Sequence, residues 1–160
     1  MATLTLHDPL YVFPEGATAR LVGAPSGQTL FFAYEAARIG QDGPVEIVLR
    51  LDADPGDPFA GGGDAPFTGT IAGISAYRGG LAAAQAARAD ALVFEISALG
   101  GLALADYLAG AADAELFGGA DRIALAAGEL RLASGLLAQL EGGAGVDTVA
   151  GGPGDDLLEL

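Results

Sequence analysis

The chain has no cysteine, no tryptophan and no lysine among its 160 residues. Without thiols it can form neither a disulfide nor a thiolate metal site. Its one histidine, His7, rules out an HExxH zinc site, because that motif needs two. A transition metal at His7 would have to be completed by carboxylates alone, and a surface histidine is the simpler reading. Serine is scarce too: Ser26, Ser75, Ser97 and Ser134 are the whole set, and none lies in GxSxG. No apolar stretch free of glycine and charge approaches the roughly 18 residues of a helical membrane span, so none is expected. The opening residues MATLTLHDPL have neither a basic start nor a long apolar core, so a Sec-type leader is not expected either. Seven arginines face 21 acids, for a formal net charge of −14. That balance argues against nucleic acid or an anionic membrane surface as partner, since both need a basic face.

What is present is apolar and rich in glycine. Hydrophobic residues make up 51% of the chain, enough to bury a core, and glycine accounts for 26 positions. Over residues 1–118 short apolar runs alternate with turn residues. The runs are Thr3–Leu6, Leu10–Phe13, Thr18–Val22, Thr29–Tyr34, Val45–Leu51, Phe67–Tyr77 and Ala91–Ser97. Spacers such as Pro14-Glu15-Gly16, Pro25-Ser26-Gly27, Asp42-Gly43-Pro44 and Gly79-Gly80 separate them. Strands at this spacing predict a mainly β, sandwich-like domain. Glu46 and Arg50 interleave with Ile47, Leu49 and Leu51, as on a strand with one wet face. The Ala-rich stretch Leu81–Asp90 predicts a short helix. The spacing of Leu104, Tyr107, Leu108 and Ala111 predicts a helical segment over 103–117, stopped by Gly118-Gly119.

Beyond residue 118 the pattern changes to a repeat. Gly142-Gly143-Ala144-Gly145-Val146-Asp147-Thr148-Val149-Ala150 is one nonapeptide, and Gly151-Gly152-Pro153-Gly154-Asp155-Asp156-Leu157-Leu158-Glu159 is the next. Both fit GGxGxDxUx, with U apolar. The glycines permit a tight turn at positive φ that exposes backbone carbonyls. The Asp at the sixth position adds a hard anionic oxygen, of the kind calcium gathers in sixes to eights. The residues after it form a short strand. Counting back from Leu158 and Val149, the apolar position recurs at Leu140, Leu132 and Ile123, so a solenoid register is expected to begin near Asp121. A flexible glycine-rich tail is the plainer alternative, but it does not account for the shared phase of Val149 and Leu158. Residues 141–160 carry five acids and no base. Cations would offset their mutual repulsion.

On these two nonapeptides the chain resembles the RTX family, the proteins with hemolysin-type calcium-binding repeats. The firm resemblance covers 142–159, and Phe67–Tyr77, Leu92–Ser97, Leu104–Leu108 and Phe117–Ile123 look more loosely like the segment that leads into such repeats. The resemblance implies export by a type I machine through an uncleaved C-terminal signal, and folding on calcium outside the cell or at its surface. It implies a short parallel β-roll over 119–160, with repeats at 142–150 and 151–159. Carried over by position, Gly142, Gly143, Gly145, Gly151, Gly152 and Gly154 would offer carbonyls, and Asp147 and Asp156 carboxylates, to Ca2+. Family members usually carry many repeats and a further C-terminal region, whereas this sequence stops at Leu160. In the family's roll each calcium lies between alternate turns. The alternate-turn neighbour of 151–156 would be Ala133–Ala138, which holds no acid, so a second copy is expected to complete the shell, with water completing it around a monomer as the alternative.

Three features are weaker. Asp52-Ala53-Asp54-Pro55-Gly56-Asp57 begins like an acidic calcium loop, but its twelfth position is Gly63 where an EF-hand needs Glu, and an acidic turn between strands explains it equally. Tyr11, Phe13, Phe31, Phe32, Tyr34, Phe67, Tyr77 and Phe94 lie on expected strands and read most simply as core, with a carbohydrate-binding face as the other option. Carboxylates are too numerous for a glycosidase pair to be singled out. The expectation is therefore a secreted calcium-binding structural or assembly protein, not an enzyme, that forms homo-oligomers or filaments. The alternative is an extracellular adhesin or carbohydrate-binding module with a calcium-dependent tail.

Overall fold

The computed structural model describes residues 3–8, 11–12, 19–38, 40–97, 99, 101–109, 122–125 and 148–150. Within them the protein is mainly β. Its strands are β1 (Thr3–Leu6), β2 (Tyr11–Val12), β3 (Arg20–Val22), β4 (Thr29–Arg38), β5 (Val45–Ala53), β6 (Ala60–Gly62), β7 (Ala65–Thr68), β8 (Thr70–Arg78), β9 (Leu92–Ser97), β10 (Leu102–Ala103), β11 (Arg122–Leu125) and β12 (Thr148–Ala150). Two short helices interrupt them, α1 (Gly80–Gln85) and α2 (Leu104–Leu108).

Ten strands form one sheet in the order β12-β11-β1-β9-β8-β5-β4-β2, with β3 also on β4 and β10 also on β8. The pairings are antiparallel except for β1 with β11 and β11 with β12. The other sheet among the described residues is the β6–β7 hairpin. This differs from the sandwich-like arrangement expected of residues 1–118. The reason lies in β4 and β5, which bury both of their sides. On one side Leu30, Phe32, Tyr34, Ile47, Leu49 and Leu51 pack with Ile74 and Ala76 under Phe59, Leu102 and Leu104. On the other, Phe31, Ala33, Val48 and Tyr77 pack under Ala83, Ala84 and Ala91. A strand covered on both faces reads as a continuous apolar run, as Leu30–Tyr34 does, and short helices and loops supply the cover.

The wet face expected beside Glu46 and Arg50 is only partly wet. Glu46 is exposed, but Arg50 lies under α1, where its Nη1 donates to the Ala84 carbonyl at 3.4 Å and its Nε to both Asp52 oxygens. The run Phe67–Tyr77 is two strands, not one. Gly69 breaks it with φ +108°, and a Cβ there would lie 2.8 Å from the Pro58 carbonyl oxygen. Only glycine fits that close approach.

The Ala-rich helix is six residues long, followed by a 3₁₀ turn at Ala89–Ala91. The helical segment expected over 103–117 is α2, capped by Ala109, and its continuation from 110 lies outside the described residues. Leu104 is buried and Tyr107 packs on the core, but Leu108 is 39% exposed, so the helix is too short for a full apolar stripe. The sheet also runs across the boundary expected at 118/119, since β11 pairs with β1 at four positions, Thr3↔Arg122 to Leu6↔Leu125.

Candidate functional site

The nonapeptides meet the described structure at β12, the three residues that follow Asp147. The turn positions themselves, Gly142, Gly143, Gly145, Asp147, Gly151, Gly152, Gly154 and Asp156, lie outside the described residues. β12 runs parallel to β11 with Arg122 opposite Thr148, Ile123 opposite Val149 and Ala124 opposite Ala150. Ile123, one of the apolar positions reached by counting back from Val149, is its register partner.

Each of these strands follows an aspartate. Gly118-Gly119-Ala120-Asp121 leads into β11, and Gly142-Gly143-Ala144-Gly145-Val146-Asp147 leads into β12. Arg122 and Thr148, the residues that follow these aspartates in the sequence, are register partners on adjacent parallel strands. Parallel neighbours lie about 4.8 Å apart.

The acidic segment Asp52–Asp57 is an ordinary turn. Asp54 and Asp57 form an isolated bridge, the Gly56 amide donates to Asp54 Oδ1 at 2.9 Å, and the Asp57 amide donates to the Asp54 carbonyl at 2.9 Å. Asp52 accepts from Thr29 Oγ1 and from Arg50. The Asp52 and Asp54 carboxylates thus brace the strand and turn around them, and among the described residues no three His, Asp or Glu side chains come together as a metal cluster.

Two polar groupings stand at the sheet's ends. His7 Nε2 lies 3.3 Å from Glu95 Oε1 across β1 and β9. Asp8, with its side chain only 10% exposed, accepts from Arg78 at 2.9 Å and sits 3.5 Å from Arg38, which ties the end of β1 to β8 and β4. Nearby, Arg88 holds the Asp90 carboxyl below the usual carboxylate range, first through their hydrogen bond and then through its charge. Phe31, Phe32, Tyr34 and Tyr77 are all buried, so they build the core and do not line an open ligand face. Burial, with a smaller contribution from Tyr107, raises the Tyr34 hydroxyl's pKa well above its ordinary value. No helix among the described residues is long and apolar enough to cross a membrane. Set against protein-family models, curated proteins and solved structures, the chain matches none.

Proposed function

We propose that the protein is a secreted, calcium-binding structural protein whose C-terminal turns order as a short parallel β-roll on binding Ca2+ and then bring copies of the chain together. The observation that carries this reading is the pair of consecutive nonapeptides, 142–150 and 151–159, each with its glycines, its Asp and its apolar residue in the same phase. Two features support it. The residues after Asp147 are a strand, and that strand lies parallel to its neighbour, as stacked coils of a solenoid do. The five acids and no base of residues 141–160 give a segment that repels itself until cations offset the charge.

Asp147 and Asp156 supply carboxylates and the turn glycines supply carbonyls, a donor set suited to a hard cation and not to zinc or copper. A second copy would provide further oxygens to complete each calcium shell. Extracellular calcium modules bind with dissociation constants of roughly 0.1–1 mM. At about 1 mM calcium and a constant near 0.1 mM, one site contributes about 1.4 kcal/mol. That is small against the stability of a whole domain but decisive for three-residue strands. Amide exchange across 142–159 is expected to slow when calcium is added and to stay fast with magnesium. Equal exchange in calcium and in chelator would remove this reading.

A further inference from the structure

We infer that β1, β11 and β12 open and close against the rest of the sheet as one unit, a strap over the edge of β9 that is fastened by the Asp8 carboxylate. The sheet order places β1 between β9 and the two C-terminal strands, so among the described strands β11 and β12 reach the sheet through β1. Their ladders are short. β11 pairs with β1 at four positions, from Thr3↔Arg122 to Leu6↔Leu125, and β12 pairs with β11 at three. Both ladders are parallel, which is slightly weaker per residue than antiparallel, and so few pairs are marginal on their own. Strands β11 and β12 therefore depend on β1 being in place, and what holds β1 to β9 holds all three.

The ladder of β1 with β9 is itself only four pairs long, from Thr3↔Ser97 to Leu6↔Phe94, with Leu4 buried opposite Ile96. Just past the strand, the His7 and Asp8 amides both donate to the Val93 carbonyl, at 2.8 and 3.0 Å. The sheltered Asp8 carboxylate accepts from Arg78 Nη1 at 2.9 Å and lies 3.5 Å from Arg38 Nη2. Arg78 ends β8 and Arg38 ends β4, so Asp8 ties β1 to strands that lie beyond β9. Taking the cations from so sheltered a carboxylate would leave its charge poorly compensated, which is costly. His7 Nε2 lies 3.3 Å from Glu95 Oε1, but both of those side chains are more exposed than Asp8, so solvent screens that contact. Asp8 is the stronger of the two ties, and no ion enters its contacts. Opening the strap would bare one side of β9, whose run Leu92–Ser97 is apolar but for Glu95 and Ser97. An uncovered edge of that kind invites a strand from a second copy.

Amide exchange on the full chain in rising, sub-denaturing urea tests the unit. The series is run in millimolar calcium, so that 148–150 is ordered whether or not the calcium reading holds. Residues 3–6, 122–125 and 148–150 are expected to share one opening isotherm, at lower free energy than Ile47–Leu51 in β5. Asp8→Asn keeps the shape of the side chain and removes its charge. It is expected to speed exchange about tenfold, by the same factor in all three segments, the scale of one hydrogen bond to a charged group, and to leave Ile47–Leu51 unchanged. Arg78→Gln breaks the same pair from β8, along with a bond to the Asp90 carbonyl, and is expected to act the same way. It decides the matter if Asp8→Asn does not fold. Faster exchange confined to 3–6 would mean a purely local tie, and equal acceleration at Ile47–Leu51 would mean a general loss of stability. Either pattern, separate isotherms for the three segments, or no change in the variants would overturn the inference.

Discussion

Asp147 and Asp156 are the side chains on which the calcium reading depends most directly. Each is the only carboxylate at the sixth place of its nonapeptide, and removing one strips an anionic ligand while leaving the glycine carbonyls in place. Asp147→Ala and Asp156→Ala are each expected to weaken calcium binding about tenfold or more, with the far-ultraviolet dichroism of the sheet retained. Titration calorimetry checks this, and unchanged affinity in both would show that the carboxylates are wrongly assigned. Gly69 is a different kind of residue, needed for its backbone. Its φ of +108° and the 2.8 Å approach of the Pro58 oxygen leave no room for a methyl group. Gly69→Ala is expected to cost about 2–4 kcal/mol, by strain at positive φ together with displacement of the chain at Pro58. Urea denaturation measures it, and a loss below about 1 kcal/mol would mean that the loop yields easily.

Among the elements, β4, β5 and β8 make the sheet's centre, and their cover differs by side. One side carries Phe59, Leu102 and Leu104, while the other is sealed by α1, a helix of only six residues. So short a helix has little stability of its own, and tertiary contacts must hold it. Ala83 and Ala84 supply the apolar contact, and Arg50 reaches from β5 to the Ala84 carbonyl while Asp52 steadies its guanidinium. Arg50→Met keeps the stem and removes the polar link. It is expected to cost about 1 kcal/mol, discounted because the group is partly exposed, and to speed amide exchange in α1 more than in β5. Equal change in both elements would show that Arg50 acts on the sheet as a whole and not on the docking of α1. Asp52 would then lose its cation as well, so the Thr29 hydroxyl would be its remaining described side-chain donor.

At the scale of the whole molecule, charge and topology set the behaviour. A formal charge of −14 on 160 residues opposes the close approach of copies of the chain. On the proposed reading, calcium at the acid-bearing turns lowers that repulsion and recruits oxygens from a second copy. Symmetric contact between equivalent ends would close a dimer, and head-to-tail contact would extend a filament. Sedimentation over a wide concentration range is therefore expected to show larger species in millimolar calcium and a single small species in chelator or magnesium. A monomer in all three conditions would end the assembly half of the proposal while leaving calcium binding itself untouched.

The mainly β character was determined by the sequence alone, because it follows from local pattern. Thr3–Leu6 is a strand over the residues its alternation predicts, and Val45–Leu51 lies within β5. The nonapeptides were equally plain, since their glycines and aspartates repeat at a fixed interval. Tertiary structure decided what local pattern does not encode. Whether Arg50 faced water depended on α1 folding back over β5. The break of Phe67–Tyr77 at Gly69 depended on a close approach by Pro58, which lies before the β6–β7 hairpin. The neighbour of Val149 was also a tertiary outcome. A repeat count fixes phase along the chain and not partner across the ladder, so it reached Leu140, Leu132 and Ile123 alike, and the sheet pairs Ile123 with Val149. Joining the chain's first strand to β11 requires residues more than a hundred positions apart to meet, and only the hydrogen-bonded register of the folded sheet records that pairing.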